Sequence, residues 1–260
     1  MVRVVSGVLL ALGILALILY GTPFHFFVFT TIVAGLASYE FFGMLKSGNK
    51  PSTLVIGVPM AALFEMALYY KSGVYAMDAA LILFMAGSAY TVFCGHKDRL
   101  AAGANLVYGV VYTAIPMAAL ALIRSAPDGA AYTVMLIAAT ALCDTGAFYF
   151  GKTFGKRKLA PSLSPGKTVE GFFGGVAGAI AGALIIWQIF LPSQSALTPL
   201  ACGLLAGFLG PVGDLAESAI KREMGVKDSG ALIPGHGGVL DRVDSLLFTS
   251  AAFYIFLRTI

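Results

Sequence analysis

The run Tyr132–Phe150, YTVMLIAATALCDTGAFYF, decides the fold. It carries a single charge, Asp144, and it ends against Lys152, Lys156, Arg157 and Lys158. A helix needs about 20 predominantly apolar residues to cross a bilayer, and a basic cluster marks the end that stays on the cytoplasmic side. Eight runs of the same kind accompany it, at Val4–Tyr20, Phe24–Leu45, Ser52–Tyr70, Val74–Cys94, Ala101–Ile123, Gly171–Leu191, Thr198–Ile220 and Val239–Leu257. The expected fold class is an all-α polytopic membrane protein with nine transmembrane helices. The first run follows Arg3 as a signal peptide would. It is read as a retained helix, because no small-residue cleavage site is evident and eight comparable runs follow.

Composition agrees. Of the 260 residues, 58% are apolar and 12% are charged, and the mean hydropathy is +0.87. A soluble domain is about 45–50% apolar and about 25% charged, so this chain has too few polar side chains to cover a water-facing surface. A soluble enzyme, a disordered chain and a nucleic-acid-binding protein are excluded. Cys94, Cys143 and Cys202 show no pairing or metal spacing and read as small core residues.

The net charge of +4 conceals how the bases are distributed. With the N-terminus inside, the cytoplasmic side holds Arg3, Lys46, Lys50, Lys97, Arg99, Lys152, Lys156, Arg157, Lys158, Lys167, Lys221, Arg222, Lys227 and Arg242. Only Lys71, Arg124 and Arg258 remain outside. Such asymmetry sets orientation. It predicts a cytoplasmic N-terminus and, with an odd number of spans, an external C-terminus.

The first half is mostly featureless apolar helix, and no internal repeat is visible. The expected organisation is N-terminal transmembrane helices over 1–130 and a catalytic transmembrane region with a cytoplasm-facing polar site over 131–260. Two windows, Asp144–Glu170 and Asp214–Asp244, hold more than half of the charged residues. Ionisable groups at membrane depth are costly unless they face a cavity, an ion or a partner, so the concentration points to a functional site.

In the later window, PVGDLAESAIKREMGVKDSGALIPGHGGVLDRVDS (211–245), Asp214 follows Pro211 and Gly213, which are expected to loosen the helix. Glu217 or Ser218 and then Lys221 share its face, and Asp241 and Asp244 share another. Carboxylates on two helix ends beside a Gly-rich loop suit a hard cation such as Mg²⁺. Lys221, Arg222, Lys227 and His236 are placed to meet phosphates. Gly237 and Gly238 let backbone N–H groups approach an anion. Glu217, Glu223 and Asp228 are weaker candidates, and at least two of them are expected to pair with neighbouring bases.

The earlier window places Asp144 about two turns from the cytoplasmic end of its span, followed by a five-base loop with Ser162, Ser164 and Thr168 as hydroxyl donors. Pro165-Gly166-Lys167-Thr168 has the tail of a P-loop, but Pro161 stands where that motif requires Gly, and the context is a loop between membrane helices. A P-loop is rejected. Lys167, beside Ser164 and Thr168, is the better phosphate contact. Lys156, Arg157 and Lys158 read equally well as an anchor on anionic headgroups. His25 and His96 are assigned no role, and Glu40 is left outside the site.

The run Ser218-Ala219-Ile220-Lys221-Arg222, then Lys227-Asp228, Gly230, Ile233-Pro234, His236-Gly237-Gly238 and Asp241-Arg242-Val243-Asp244 resembles the signature of the phosphatidate cytidylyltransferase (CDP-diacylglycerol synthase) family. Asp144, Gly151, Gly155, Ser164-Pro165, Lys167-Thr168 and Glu170-Gly171 resemble it too, with departures at Lys152, Gly166 and Val169. The resemblance implies condensation of CTP with phosphatidate to CDP-diacylglycerol and pyrophosphate. It also implies Mg²⁺ dependence with K⁺ as a second ion, metal ligation by Asp214, Asp241 and Asp244, and a homodimer in the cytoplasmic membrane whose site opens to cytoplasm and lipid. Asp144 is expected nearby as a further ligand, and no nucleic acid is involved. Two other readings stand beside it at this point. One is a transporter, to which aspartates near Gly- and Pro-interrupted helices are also suited. The other is a CTP-using lipid kinase, which would release CDP.

Overall fold

Each of the nine apolar runs overlaps one helix. The computed structural model describes residues 2–45, 50–70, 74–93, 95, 98–232 and 237–259. Among these, the helices are α1 (Val2–Tyr20), α2 (Pro23–Met44), α3 (Lys50–Tyr69), α4 (Ala76–Phe93), α5 (Arg99–Ser125), α6 (Gly129–Phe154), α7 (Val169–Phe190), α8 (Leu197–Glu223) and α9 (Leu240–Leu257). Six of them, α2 and α4 to α8, are long and apolar enough to cross a membrane. The fold is that of an all-α polytopic membrane protein.

In lipid there is little hydrophobic drive between helices, so close backbone approach and buried polar links hold the bundle. The α6–α7 seam shows the first device. A side chain at Gly178 would strike the carbonyl oxygen of Leu142, and one at Gly174 would strike the Phe150 ring. α8 approaches α7 in the same way, with Gly207 leaving a Cβ only 2.8 Å from Val176 Cα. Buried hydroxyls supply the second device. Ser38 and Thr113 share a hydrogen bond of 2.7 Å between α2 and α5, and Ser250 Oγ on α9 donates to the Pro116 carbonyl on α5 at 2.9 Å.

Phe41, Phe42, Leu106, Val110 and Leu247 anchor one core, between α2, α3, α5 and α9. Phe26, Met135, Leu136, Cys202 and Phe253 anchor a second, between α2, α6, α8 and α9. Cys143 and Cys202 are buried, as small core residues should be. Cys94, His96, Lys46, Lys71 and Lys97 lie outside the described residues. Arg124, expected on the external side, donates from Nε to Ile18 O at 2.9 Å and from Nη2 to Gly21 O at 2.7 Å. It thereby caps the last carbonyls of α1, where a cation also meets the negative end of the helix dipole. His25 forms a capping box with Thr22 at the start of α2.

Two expectations need correction. The segment between α6 and α7 is not only loop: Lys158–Ala160 (β1) and Ser164–Thr168 (β2) pair antiparallel. Glu170 holds the base of this hairpin, accepting from Lys156 N at 2.9 Å and Arg157 N at 3.2 Å. Strands this short leave no alternating pattern to read. Pro211 and Gly213 also leave α8 unbroken. Gly213 serves close approach instead, since a Cβ there would stand 2.5 Å from Asp244 O.

Candidate active site

The cytoplasmic-predicted ends of α6, α8 and α9 and the strand β2 converge, and α2 joins them. Lys167, at the end of β2, places Nζ 2.6 Å from Asp214 Oδ2. One turn along α8, Ser218 Oγ donates to Asp214 Oδ1 at 3.4 Å. A further turn on, Lys221 bridges two acids, at 3.2 Å from Glu217 Oε2 and 2.6 Å from Asp241 Oδ1. Glu217 is fully buried and lies against Asp241 and Asp244. Asp144 on α6 is within electrostatic reach of Lys167, Asp214 and Asp244. The Asp244 carboxylate accepts from Ser245 N at 2.6 Å.

Asp241 is the most heavily engaged. Besides Lys221, it accepts from Ser229 N at 3.1 Å and Gly238 N at 3.2 Å, both on Oδ2. The N–H of Gly238, expected to meet a phosphate, thus meets an anion that the protein itself supplies. Gly237 adopts φ +84°, which only glycine adopts without strain. His236 and Gly235 lie outside the described residues. Thr168, expected as a ligand-binding hydroxyl, is buried and caps α7 by accepting from Gly171 N at 3.1 Å. Ser164 sits in β2 opposite Ala160. Arg222 and Lys227 are exposed at the rim, where Arg222 donates to Val226 O at 3.2 Å. Of Glu217, Glu223 and Asp228, Glu217 is the one found in an ion pair among the described residues.

Sequence reasoning missed two participants. Glu40, left outside the site, accepts from Ser229 Oγ at 3.1 Å and Leu240 N at 2.8 Å. Its status as a lone acid within an apolar span was the signal that could have found it. Ser229, buried beside it, carried no signal.

Asp144, Asp214, Glu217, Asp241 and Asp244 face two ammonium groups, Lys167 and Lys221. Uncompensated carboxylates at this depth are expensive, and here the acids outnumber the bases. The donors are all carboxylate oxygens, the set that hard cations take. Lys167 already places one positive group against Asp214. Among the described residues, no three His, Cys, Asp or Glu side chains are grouped as a metal ion would require. An apolar groove of about 380 Å³, lined by Met60, Phe64, Ile82 and Leu83 between α3 and α4, lies away from this chemistry.

Comparison with known proteins adds a further finding. The profile of the Cytidylyltransferase family matches residues 1–260. The phosphatidate cytidylyltransferase of Bacillus subtilis (strain 168) is 32% identical over 261 aligned positions, 98% of this chain and 96% of that protein. An uncharacterized Escherichia coli (strain K12) protein, YnbB, is 48% identical over 130 residues, 50% of this chain and 43% of that protein. The phosphatidate cytidylyltransferase 4, chloroplastic, of Arabidopsis thaliana is 47% identical over 131 residues, 50% of this chain and 33% of that protein. The chain therefore spans less than half the length of the last two relatives and nearly all of the Bacillus protein.

Proposed function

The chain belongs to the cytidylyltransferase family, and from that premise we propose that it is an integral-membrane phosphatidate cytidylyltransferase, making CDP-diacylglycerol and pyrophosphate from CTP and phosphatidate for phospholipid synthesis. The end-to-end similarity to the Bacillus enzyme carries this reading.

A phosphate oxygen of phosphatidate attacks the α-phosphorus of CTP, the bond to the β-phosphate oxygen breaks, and pyrophosphate leaves. The attacking oxygen is already anionic near neutral pH, so no strong general base is required. The task is to hold two polyanions together and to stabilise charge on the transferring and departing phosphates. Lys167 is assigned to this: its buried ammonium rests against the partly exposed Asp214, and a substrate phosphate would take that carboxylate's place. Lys221, clamped between Glu217 and Asp241, supplies fixed positive charge. Arg222 and Lys227, exposed at the rim, draw anions inward, and His236 is assigned to pyrophosphate.

The excess of acids and their all-oxygen donor set support a reading in which Asp214, Asp241 and Asp244 would hold Mg²⁺, with Asp144 beside them, and K⁺ would be a second ion. When bound, Mg²⁺ would neutralise phosphoryl oxygens and stabilise the leaving pyrophosphate. The remaining positions of the site follow suit. Ser218 orients Asp214, Ser164 lies in β2 three residues before Lys167, and Thr168, Gly237 and Gly238 set the backbone around the site.

The topology we propose has nine spans, a cytoplasmic N-terminus, an external C-terminus and a site facing the cytoplasm, where CTP is available. The distribution of Lys and Arg supports it. The protein would reside in the cytoplasmic membrane as a homodimer. The test uses protein purified in detergent with phosphatidate, Mg²⁺ and CTP labelled with ³²P at the α-phosphate. Label entering the organic phase with equimolar pyrophosphate is the expected result. Unlabelled lipid with CDP released would replace this reading with a lipid kinase, and no nucleotide chemistry would leave a transporter.

A further inference from the structure

One exposed face of α6 runs from the acid cluster to a set of bases that the proposed reaction leaves without a task. Asp144, Phe148 and Lys152 follow one another at four-residue steps and therefore share that face, and all three are exposed. Asp144 stands ten residues before the end of α6, inside an apolar span, and is in electrostatic reach of Lys167 and Asp214. A carboxylate at that depth is costly against acyl chains, so the face it opens on is a polar recess at the edge of the bundle. Lys152 Nζ lies 5.9 Å from the centre of the Phe148 ring, at the outer end of that face. Lys156, Arg157 and Lys158 follow, all exposed, where α6 passes into β1. Glu170, beside them, uses its oxygens on the backbone N–H groups of Lys156 and Arg157. Among the described residues, none of the four bases makes an ion pair with a carboxylate.

Phe148, Tyr149, Phe154 and Phe173 are exposed around the same end of α6 and α7. Exposed aromatic rings at the edge of a membrane protein sit at headgroup level, which puts the four bases at the depth of lipid phosphates. The opposite strand of the hairpin points a cation inward. Lys158 pairs with Thr168, and the residue before Thr168 is Lys167, whose Nζ meets Asp214 Oδ2 at 2.6 Å.

We propose that Lys152, Lys156, Arg157 and Lys158 form a docking surface for the phosphate monoester headgroup of the lipid substrate, which enters along the exposed face of α6 toward Lys167 and Asp214. This deepens the phosphatidate cytidylyltransferase reading above and rests on it. Charge and depth decide the occupant. A phosphate monoester carries about two negative charges near neutral pH, and in a bilayer it lies where the aromatic rings hold these bases, whereas CTP arrives from water.

The test uses the full chain in detergent, with Lys156→Gln, Arg157→Gln and Lys158→Gln combined. The hairpin should survive these changes, since Glu170 holds backbone groups there. Native mass spectrometry reads the retention of phosphatidate, phosphatidylglycerol and phosphatidylcholine of equal chain length. Wild type should retain phosphatidate best, and the variant should retain it about tenfold less, with phosphatidylcholine unmoved. In mixed micelles the KM for phosphatidate should rise by a similar factor, with the KM for CTP within about twofold of wild type. Unchanged retention overturns the docking surface. Phosphatidylglycerol retained as well as phosphatidate, and lost equally, overturns the substrate role and leaves a headgroup anchor. A raised KM for CTP with an unmoved KM for phosphatidate assigns the bases to the nucleotide and overturns the lipid role. A wild-type protein without cytidylyl transfer refutes the enzyme reading instead, while lipid retention still judges the surface. If the triple variant fails to accumulate folded, Lys152→Gln is judged by the same outcomes, with an expected loss of about threefold.

Discussion

Replacing Asp241 with Asn should stop turnover while leaving a folded protein. The carboxylate receives Lys221 on Oδ1 at 2.6 Å, and Ser229 N and Gly238 N on Oδ2 at 3.1 and 3.2 Å. An amide is isosteric, but one of its two ends is now a donor. If the NH₂ faces Lys221, an ammonium loses its nearest anion; if it faces the loop, two backbone N–H groups are orphaned. Each orphaned buried donor costs about 1–3 kcal/mol. Asp241 is 17% exposed and Lys221 12% exposed, which discounts the ionic part, so about 2–3 kcal/mol of stability should be lost. For a chain of this size that corresponds to roughly 5–10 °C in Tm. Activity should fall far more, by at least about 10³-fold, because the fixed charge at Lys221 and the cation-holding cluster are disturbed together. The assay is formation of labelled CDP-diacylglycerol alongside thermal unfolding in the same detergent. Turnover within about threefold of wild type, with Tm lowered as expected, would refute the reasoning and reduce Asp241 to a loop fastener.

Other outcomes follow from the same geometry. Lys167→Gln and Asp214→Asn should each lower kcat/KM by about 10²-fold or more, and the double variant should lose much less than the product, because the two side chains meet at 2.6 Å. Additive losses in that cycle would separate them. Chelation of divalent ions should abolish turnover and added Mg²⁺ should restore it, whereas activity that survives exhaustive chelation would remove the metal from the proposal. Gly178→Val should prevent α7 from lying against α6, since its first side-chain atom would meet the Leu142 carbonyl, and should cost about 3 kcal/mol or more. Size-exclusion profiles and Tm report it. Arg124→Gln should lose about 1–3 kcal/mol by uncapping α1, with catalysis at permissive temperature intact.

Hydropathy made the helices legible because bilayer insertion is a local rule: each backbone segment must satisfy its own hydrogen bonds, so each span announces itself by length and composition. The charged windows were legible for a related reason, since ionisable groups survive at that depth only where they work. Asp144, Lys167, Asp214, Lys221, Asp241 and Asp244 were singled out on that ground, and the fold brings them to one place. Their pairings were not legible. Thr168 looks like a ligand hydroxyl until α7 is seen to start on it, and Gly238 looks like a phosphate-binding amide until Asp241 is found in front of it. The amino-acid sequence alone determined that this chain is a membrane-embedded helical protein with two polar windows, because apolar length and charge placement act segment by segment. Only the tertiary structure decided that Glu40 belongs with Ser229 and Leu240, 189 and 200 residues away, because a hydrogen bond across that separation depends on how α2 packs beside α9 and leaves no mark in either segment.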